Sequence, residues 1–440
     1  MKARAKAAEI LAAAQAGPVV GLRPAGVRHA RRAFLAKLAA GGLAAWGLSP
    51  GRAAPADEPL IAGIRKEVLW HGAKGDDPSW FHPRGCIIPA ARTTAAPSVF
   101  MTLQTISGSD MFGPVHHTLS DDLGRTWSKP LPIEGLGRRQ LAEDLQEGVC
   151  DVVPQYHAPT RSILCLGHNV YYDRNGKLTK PAEDRFPVYV VRRADGTFSG
   201  RRKVEWDDPR ATAIYTSNCA QRWLLENGDI LMPLSFGPTG RKDRSATTVR
   251  CSFDGEQLKI KKVGAELRNA AGRGLLEPSV TGFRGKYYLT LRAEDERGYV
   301  TVSDDGLNWQ PLRAWAWEDG APLVMSTTQQ HWLPHSEALF LVYTRRTEQN
   351  AKVMRYRAPL FLAQVDTARL CLRRDTEQVV LPLMGDPLNN PKQVPLMGNF
   401  HPLNVTPEES WVTVGENNPG NGYKGDTLLA RIQWRRLNRF

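Results

Sequence analysis

Long apolar runs and paired cysteines are both missing from this sequence. Its 440 residues hold six cysteines, at 86, 150, 165, 219, 251 and 371, and none belongs to a C-x-x-C pair. That excludes the ligand spacing of a zinc finger or ribbon, and no metal or cofactor is expected. The most apolar stretch, Leu38–Trp46, is far shorter than the roughly 20 residues a membrane-spanning helix needs, so no stable span is expected. Surplus charge is also scarce once its location is considered. Of the net +13, residues 1–56 carry +8, from nine Lys or Arg and one Glu, which leaves +5 for the following 384 residues. So mild a balance makes no case for nucleic acid as a partner, though it suits an acidic glycan. From Pro59 onward no amphipathic helical pattern occurs either.

The N-terminal residues explain most of the charge. Arg31-Arg32 is followed by Ala33-Phe34-Leu35, a short apolar run rich in small residues, and Ala54-Pro55-Ala56 ahead of Asp57-Glu58. A charged region, a short apolar region and a small-x-small cleavage site together read as a signal peptide over 1–56, and the paired arginines indicate the twin-arginine route. Residues 57–440 are then expected as one domain outside the cytoplasm, periplasmic or secreted, and working as a monomer. Because that route carries folded cargo out of a reducing cytosol, buried free thiols are expected rather than two or three disulfides.

What the rest contains is strands. Short runs rich in Val, Ile, Leu, Tyr and Trp recur, among them Ser98–Leu103, Val188–Val191, Ile230–Ser235, Tyr287–Leu291, Leu339–Tyr343 and Trp411–Val414, punctuated by Gly, Asp, Asn and Pro. Such spacing points to a sandwich, barrel or propeller. A repeat selects among them. Ser120-Asp121-Asp122-Leu123-Gly124-Arg125-Thr126-Trp127 is matched, one residue shorter, by Ser303–Trp309, with weaker copies at Ser252–Gly255 and Arg193–Phe198. The aspartates at 122, 195, 254 and 305 lie 73, 59 and 51 residues apart, about one four-stranded blade each. Six blades of about 64 residues account for the 384. An all-β, six-bladed propeller is the expected fold. In each repeat the Asp can accept bonds from its own turn, the Gly permits positive φ, and the Trp packs on the neighbouring hairpin, so these residues are structural.

This S-x-D-x-G-x-T-W turn is an Asp-box, and with it the chain resembles the sialidase superfamily over roughly residues 84–414. Asp110, in Ser109-Asp110-Met111-Phe112-Gly113 just ahead of the first full box, is similar to the family's acid/base loop. Glu277-Pro278-Ser279-Val280, the strand Tyr287–Leu291, Arg292 and the box at Ser303 follow in the family's order. The resemblance implies that Glu277 polarises the nucleophile and that Arg292 and Arg357 (in Arg357–Leu362) hold a substrate carboxylate. Two positions depart from the family. Ile87 stands where the first arginine belongs, leaving Arg84 as the candidate replacement. No tyrosine occurs in Asn399–Asn404, where the nucleophile belongs, leaving His401 as the candidate group. Planar guanidinium groups suit a carboxylate bidentately, and a carboxylic acid near the glycosidic oxygen can protonate the leaving group.

Three functions follow: a glycoside hydrolase releasing an acidic sugar, a lyase acting on a uronic-acid polymer, or a non-catalytic carbohydrate-binding propeller. For the lyase, Tyr215 paired with His168 or His401 supplies a base.

Overall fold

The computed structural model describes residues 58–90, 96–179 and 185–440. Arg31, Arg32 and the rest of the segment 1–56, where a signal peptide is expected, lie outside the described residues. Six antiparallel sheets are arranged in order along the chain, and within blades 1 to 5 the chain runs from the inner strand outward, with a short strand Arg139–Ala142 added beside the inner strand of blade 2. The inner strands are Trp80–Ile88, Leu145–His157, Ile214–Thr216, Leu276–Phe283, His331–His335 and Phe400–Thr406, in blades 1 to 6. Blade 6 is built from both ends of the described chain. Its outermost strand is Ile61–Trp70, which pairs antiparallel with the third strand, Thr427–Trp434. Among the described residues the only helical elements are five 3₁₀ turns of three residues each.

Each blade is apolar on both faces because a neighbour covers each face. Phe100 and Val115 of blade 1 pack on Ile163 and Val188 of blade 2. Tyr288 and Val300 of blade 4 pack on Trp332 and Phe361 of blade 5. Val99 of blade 1 meets Trp411 and Leu429 of blade 6, which completes the ring. Burial on both faces is why the strands read as continuous apolar runs and not as alternation. All six cysteines are free and buried.

The Asp-boxes form the turns between third and outer strands. Asp122 Oδ1 accepts from the N–H groups of Arg125 and Thr126 at 3.0 and 2.9 Å, and Gly124 takes φ +77°. Asp305 accepts in the same way from Leu307 and Asn308, Asp254 from Glu256 and Gln257, and Asp195 from Thr197. A fifth turn of this kind, not visible in the sequence motif, is closed by Asp366, which accepts from Ala368 and Arg369 in blade 5. Trp127 packs against Trp70 and Trp411, 5.7 and 6.3 Å between ring centroids, and so ties blade 1 to blade 6.

Strand direction alternates within a blade. The Asp-box turns therefore lie on one face of the ring, and the loops joining second to third strands lie on the other.

Candidate active site

The loops of that second face and the starts of the inner strands enclose a cavity of about 400 Å³. A shared local device aims side chains into it. In blade 1, His82 and Pro83 oppose a single residue of the neighbouring strand; so do Asp151 and Val152 in blade 2, and Glu277 and Pro278 in blade 4. These are β-bulges, and the first residue of each is left-handed: φ is +53° at His82, +57° at Asp151 and +46° at Glu277. Asn218 of blade 3 takes φ +31° and lines the same cavity. Left-handed non-glycine residues cost about 1–3 kcal/mol each, and bulges re-aim side chains beside active sites.

Four expected site residues meet here. Asp110 occupies the two-residue turn between Gly108 and Met111, with φ +56°, at the cavity rim. Glu277 Oε1 lies 2.6 Å from Arg292 Nη2, and Arg292 Nη1 donates to the carbonyl of Thr327 at 2.8 Å. Arg357, in the loop before blade 5's third strand, also lines the cavity. Burial and the charges of Arg355 and Arg292 lower its pKa to about 10.

Three others go elsewhere. Arg84 is wholly buried under the cavity floor, where its Nη2 lies 2.7 Å from Asp151 Oδ1. It can therefore set the position of Asp151 but does not present a free guanidinium to a ligand. His401 is further along blade 6's inner strand and lines a second cavity, with Gln221 and Arg222, towards the opposite mouth of the central channel. Only Phe400 separates it from Asn399, which does line the first cavity. Tyr215 is buried between blades, its hydroxyl donating to the carbonyl of Val204 at 2.9 Å.

The structure adds groups that the sequence pattern did not expose. Tyr423, in the loop between blade 6's second and third strands, is the one phenol among the described cavity-lining residues. His82 Nε2 lies 3.5 Å from Asp151 Oδ1. Burial, followed by the charge of Arg84, lowers His82 to about 4 against the opposing pull of Asp151. His168 falls to about 3 through burial and the charge of Arg185. Both imidazoles are neutral at pH 7. Burial alone would raise Asp151, but Arg84, His82 and His168 together hold it below the usual carboxylate range. Cys150, Asp151 and His168 offer ligand atoms within 4.8 Å of one another. A cation there would compete with Arg84 for Asp151 and meet the field of the cavity arginines.

Those arginines dominate the electrostatics. Arg185, Arg244, Arg273, Arg292, Arg355 and Arg357 line the cavity, against the carboxylates of Asp110, Asp151 and Glu277. Arg292 is matched by Glu277 and Arg273 by Glu294. Arg185, Arg244, Arg355 and Arg357 have no carboxylate partner among the described residues. The field of a pocket so furnished favours anions over cations.

No protein-family model matches the chain, and no curated protein does so. Solved structures do. A Dyadobacter fermentans protein of unknown function aligns at 15% identity and a TM-score of 0.56, covering 85% of this chain and all of the other. Trypanosoma rangeli sialidase in complex with the inhibitor DANA aligns at 15% identity and a TM-score of 0.57, over 84% of this chain. This chain spans 60% of that sialidase's length. A leech intramolecular trans-sialidase aligns at 11% identity and a TM-score of 0.54, covering 84% of this chain and 70% of the other. At such identities the likeness speaks for architecture, and by architecture this chain is a sialidase-like six-bladed β-propeller.

Proposed function

We propose that the protein is a glycoside hydrolase that releases an anionic sugar from the end of a glycan. The observation that carries this reading is the meeting, in one cavity, of Asp110, the Glu277–Arg292 pair and the phenol of Tyr423 among arginines that lack acidic partners. Arg292 and Arg357 hold the sugar's carboxylate. Asp110 gives its proton to the glycosidic oxygen as that bond breaks, and the phenolic oxygen of Tyr423 bonds to the anomeric carbon while its proton passes to Glu277. Water then attacks the anomeric carbon and gives a proton to Asp110, the bond to Tyr423 breaks, and Glu277 returns the phenolic proton. A neutral phenol suits this position because an ionised nucleophile would be repelled by the substrate carboxylate. The similarity to sialidases supports the reading at the level of architecture.

Asp110→Asn and Glu277→Gln should each fold normally and lower kcat about 10²–10⁴-fold, the usual contribution of a positioned acid or base. Release of reducing sugar from sialosides and from glucuronate-capped glycans measures it. Full activity of Asp110→Asn on every substrate cleaved by the parent protein would remove the assignment.

The neutral His82 beside Asp151 favours one second reading, β-elimination on a uronate. The same assay separates the two, because a lyase product absorbs in the ultraviolet as an unsaturated uronate and a hydrolase product does not. The protein acts as a monomer outside the cytoplasm, exported through Arg31-Arg32. Changing both to Lys should leave it in the cytoplasm, and unchanged export of that variant would refute the route.

A further inference from the structure

Three of the cavity arginines occupy equivalent places in different blades. Arg185, Arg244 and Arg357 each stand just before the third strand of blades 2, 3 and 5. In each case the arginine's own carbonyl accepts from the segment leading into or forming the next blade's inner strand. Tyr215 N–H donates to Arg185 at 2.9 Å, Leu275 N–H to Arg244 at 2.9 Å, and Met397 N–H to Arg357 at 2.7 Å. The seam is tight at Arg244, because a Cβ on Gly274 would lie 2.5 Å from its backbone nitrogen and closer still to its oxygen. The backbone under each guanidinium is thus pinned between two blades, which makes these rigid donors rather than drifting surface side chains.

With Arg292 on blade 4 they form an arc over blades 2 to 5, while Asp110 belongs to blade 1 and Tyr423 to blade 6. The arc has two ends. On the blade 4–5 side, the charge of Arg292 acts on both Arg355 and Arg357, and that of Arg355 on Arg357. Arg185 is the leading charge acting on Arg244 on the blade 2–3 side, and burial together with it, Arg273 and Arg292 lowers Arg244 to about 10. One carboxylate is satisfied by two guanidinium groups, and Arg292 with Arg357 already supply them. Arg185 and Arg244 line the same cavity, neither has a carboxylate partner among the described residues, and an anion held between them would relieve the repulsion of their charges.

We infer that Arg185 and Arg244 form a second oxyanion subsite, so that the substrate of this cavity carries two anionic groups, a carboxylate and a further sulfate, phosphate or carboxylate. The inference rests on the reading of the cavity as the substrate site, but its test does not require turnover. The full chain is titrated calorimetrically with sodium glucuronate, with inorganic sulfate, and with each in the presence of the other. The parent protein should bind both at once. Arg185→Gln/Arg244→Gln should weaken sulfate about tenfold to a hundredfold, the range for losing charge-assisted bonds, and leave glucuronate unchanged. Arg357→Gln should do the reverse. Arg185→Lys/Arg244→Lys, with charge and bulk retained, checks that any loss is not misfolding: it should keep part of the sulfate affinity and the parent melting temperature. Sulfated, phosphorylated and unsubstituted uronates then identify the second group by which is held most tightly. Mutual exclusion of sulfate and glucuronate, or parent-like sulfate binding by the Gln double variant, would overturn the subsite. A protein that binds both anions and cleaves nothing would instead refute the hydrolase and leave the subsite standing.

Discussion

At the scale of single residues, the pair easiest to place together from sequence is the one whose geometry is local in sequence. Glu277 and Arg292 were legible because a bulge, one strand and its partner separate them, and the strand pairing returns Arg292 opposite Leu276, next to Glu277. Tyr423, Arg185 and Arg244 were not, because they stand on loops of unequal length whose convergence is a tertiary fact. His401 goes elsewhere for a related reason. Position along an inner strand decides which mouth of the channel a side chain serves: Asn399 lines the first cavity and His401, two positions on, lines the second. Two variants test this division. Tyr423→Phe should abolish turnover, by at least the ~10²-fold loss typical of a missing reacting group, while glucuronate still binds calorimetrically. His401→Ala should leave kcat within about threefold of the parent, since its ring faces His331, with 5.9 Å between centroids, and not the acid. A collapse of kcat in His401→Ala with an unchanged melting temperature would return that histidine to the site.

At the scale of elements, the Asp-box turns and the bulges do opposite jobs. The turns hold the fold on one face, and the bulges spend backbone strain to aim chemistry on the other. Asp122→Ala should therefore lower the melting temperature, because Ser120, Arg125 and Thr126 all bond to that carboxylate, and leave turnover per folded molecule unchanged. The fifth turn carries no Asp-box motif, because Asp366 has neither the serine before it nor the glycine and tryptophan after it, yet its carboxylate performs the same task. Gly167 shows the cost of a bulge. It opposes Asp151, and a Cβ there would press into the Cys150 carbonyl and Val152. Gly167→Ala should destabilise by about 1–3 kcal/mol, as overpacking does, and should also weaken catalysis by displacing Asp151. Denaturant unfolding and initial rates measured on the same preparation separate the two effects. An alanine variant with parent stability would mean the bulge has room to spare.

At the scale of the whole molecule, the blade count was legible because four turns recur at about one blade's spacing, whereas the origin of the sixth blade was not, since no local signal marks a strand whose partner is 364 residues away. The centre of the ring has its own consequence for pH. Burial is the largest influence on His82, lowered to about 4, on His401, lowered to about 3, and on His331, lowered well below its usual value. All three are neutral when folded and take up protons near pH 6.5 when unfolded. Below that pH the unfolded chain binds more protons, so the stability present above pH 6.5 is lost progressively as pH falls through the folded values. Melting temperature should drop steadily between pH 6.5 and 4, and a flat profile there would contradict the buried neutral state. The ring's closure has a kinetic side as well. Glu67 of the outermost strand meets Arg431 across 364 residues, 2.9 Å apart. Among the described strands, Ile61–Trp70 is made first and its partner Thr427–Trp434 last, so on a ribosome its edge stays unpaired while the strands between them are synthesised. Contacts of such separation slow folding, and until the ring closes that unpaired edge is open to pairing with another chain.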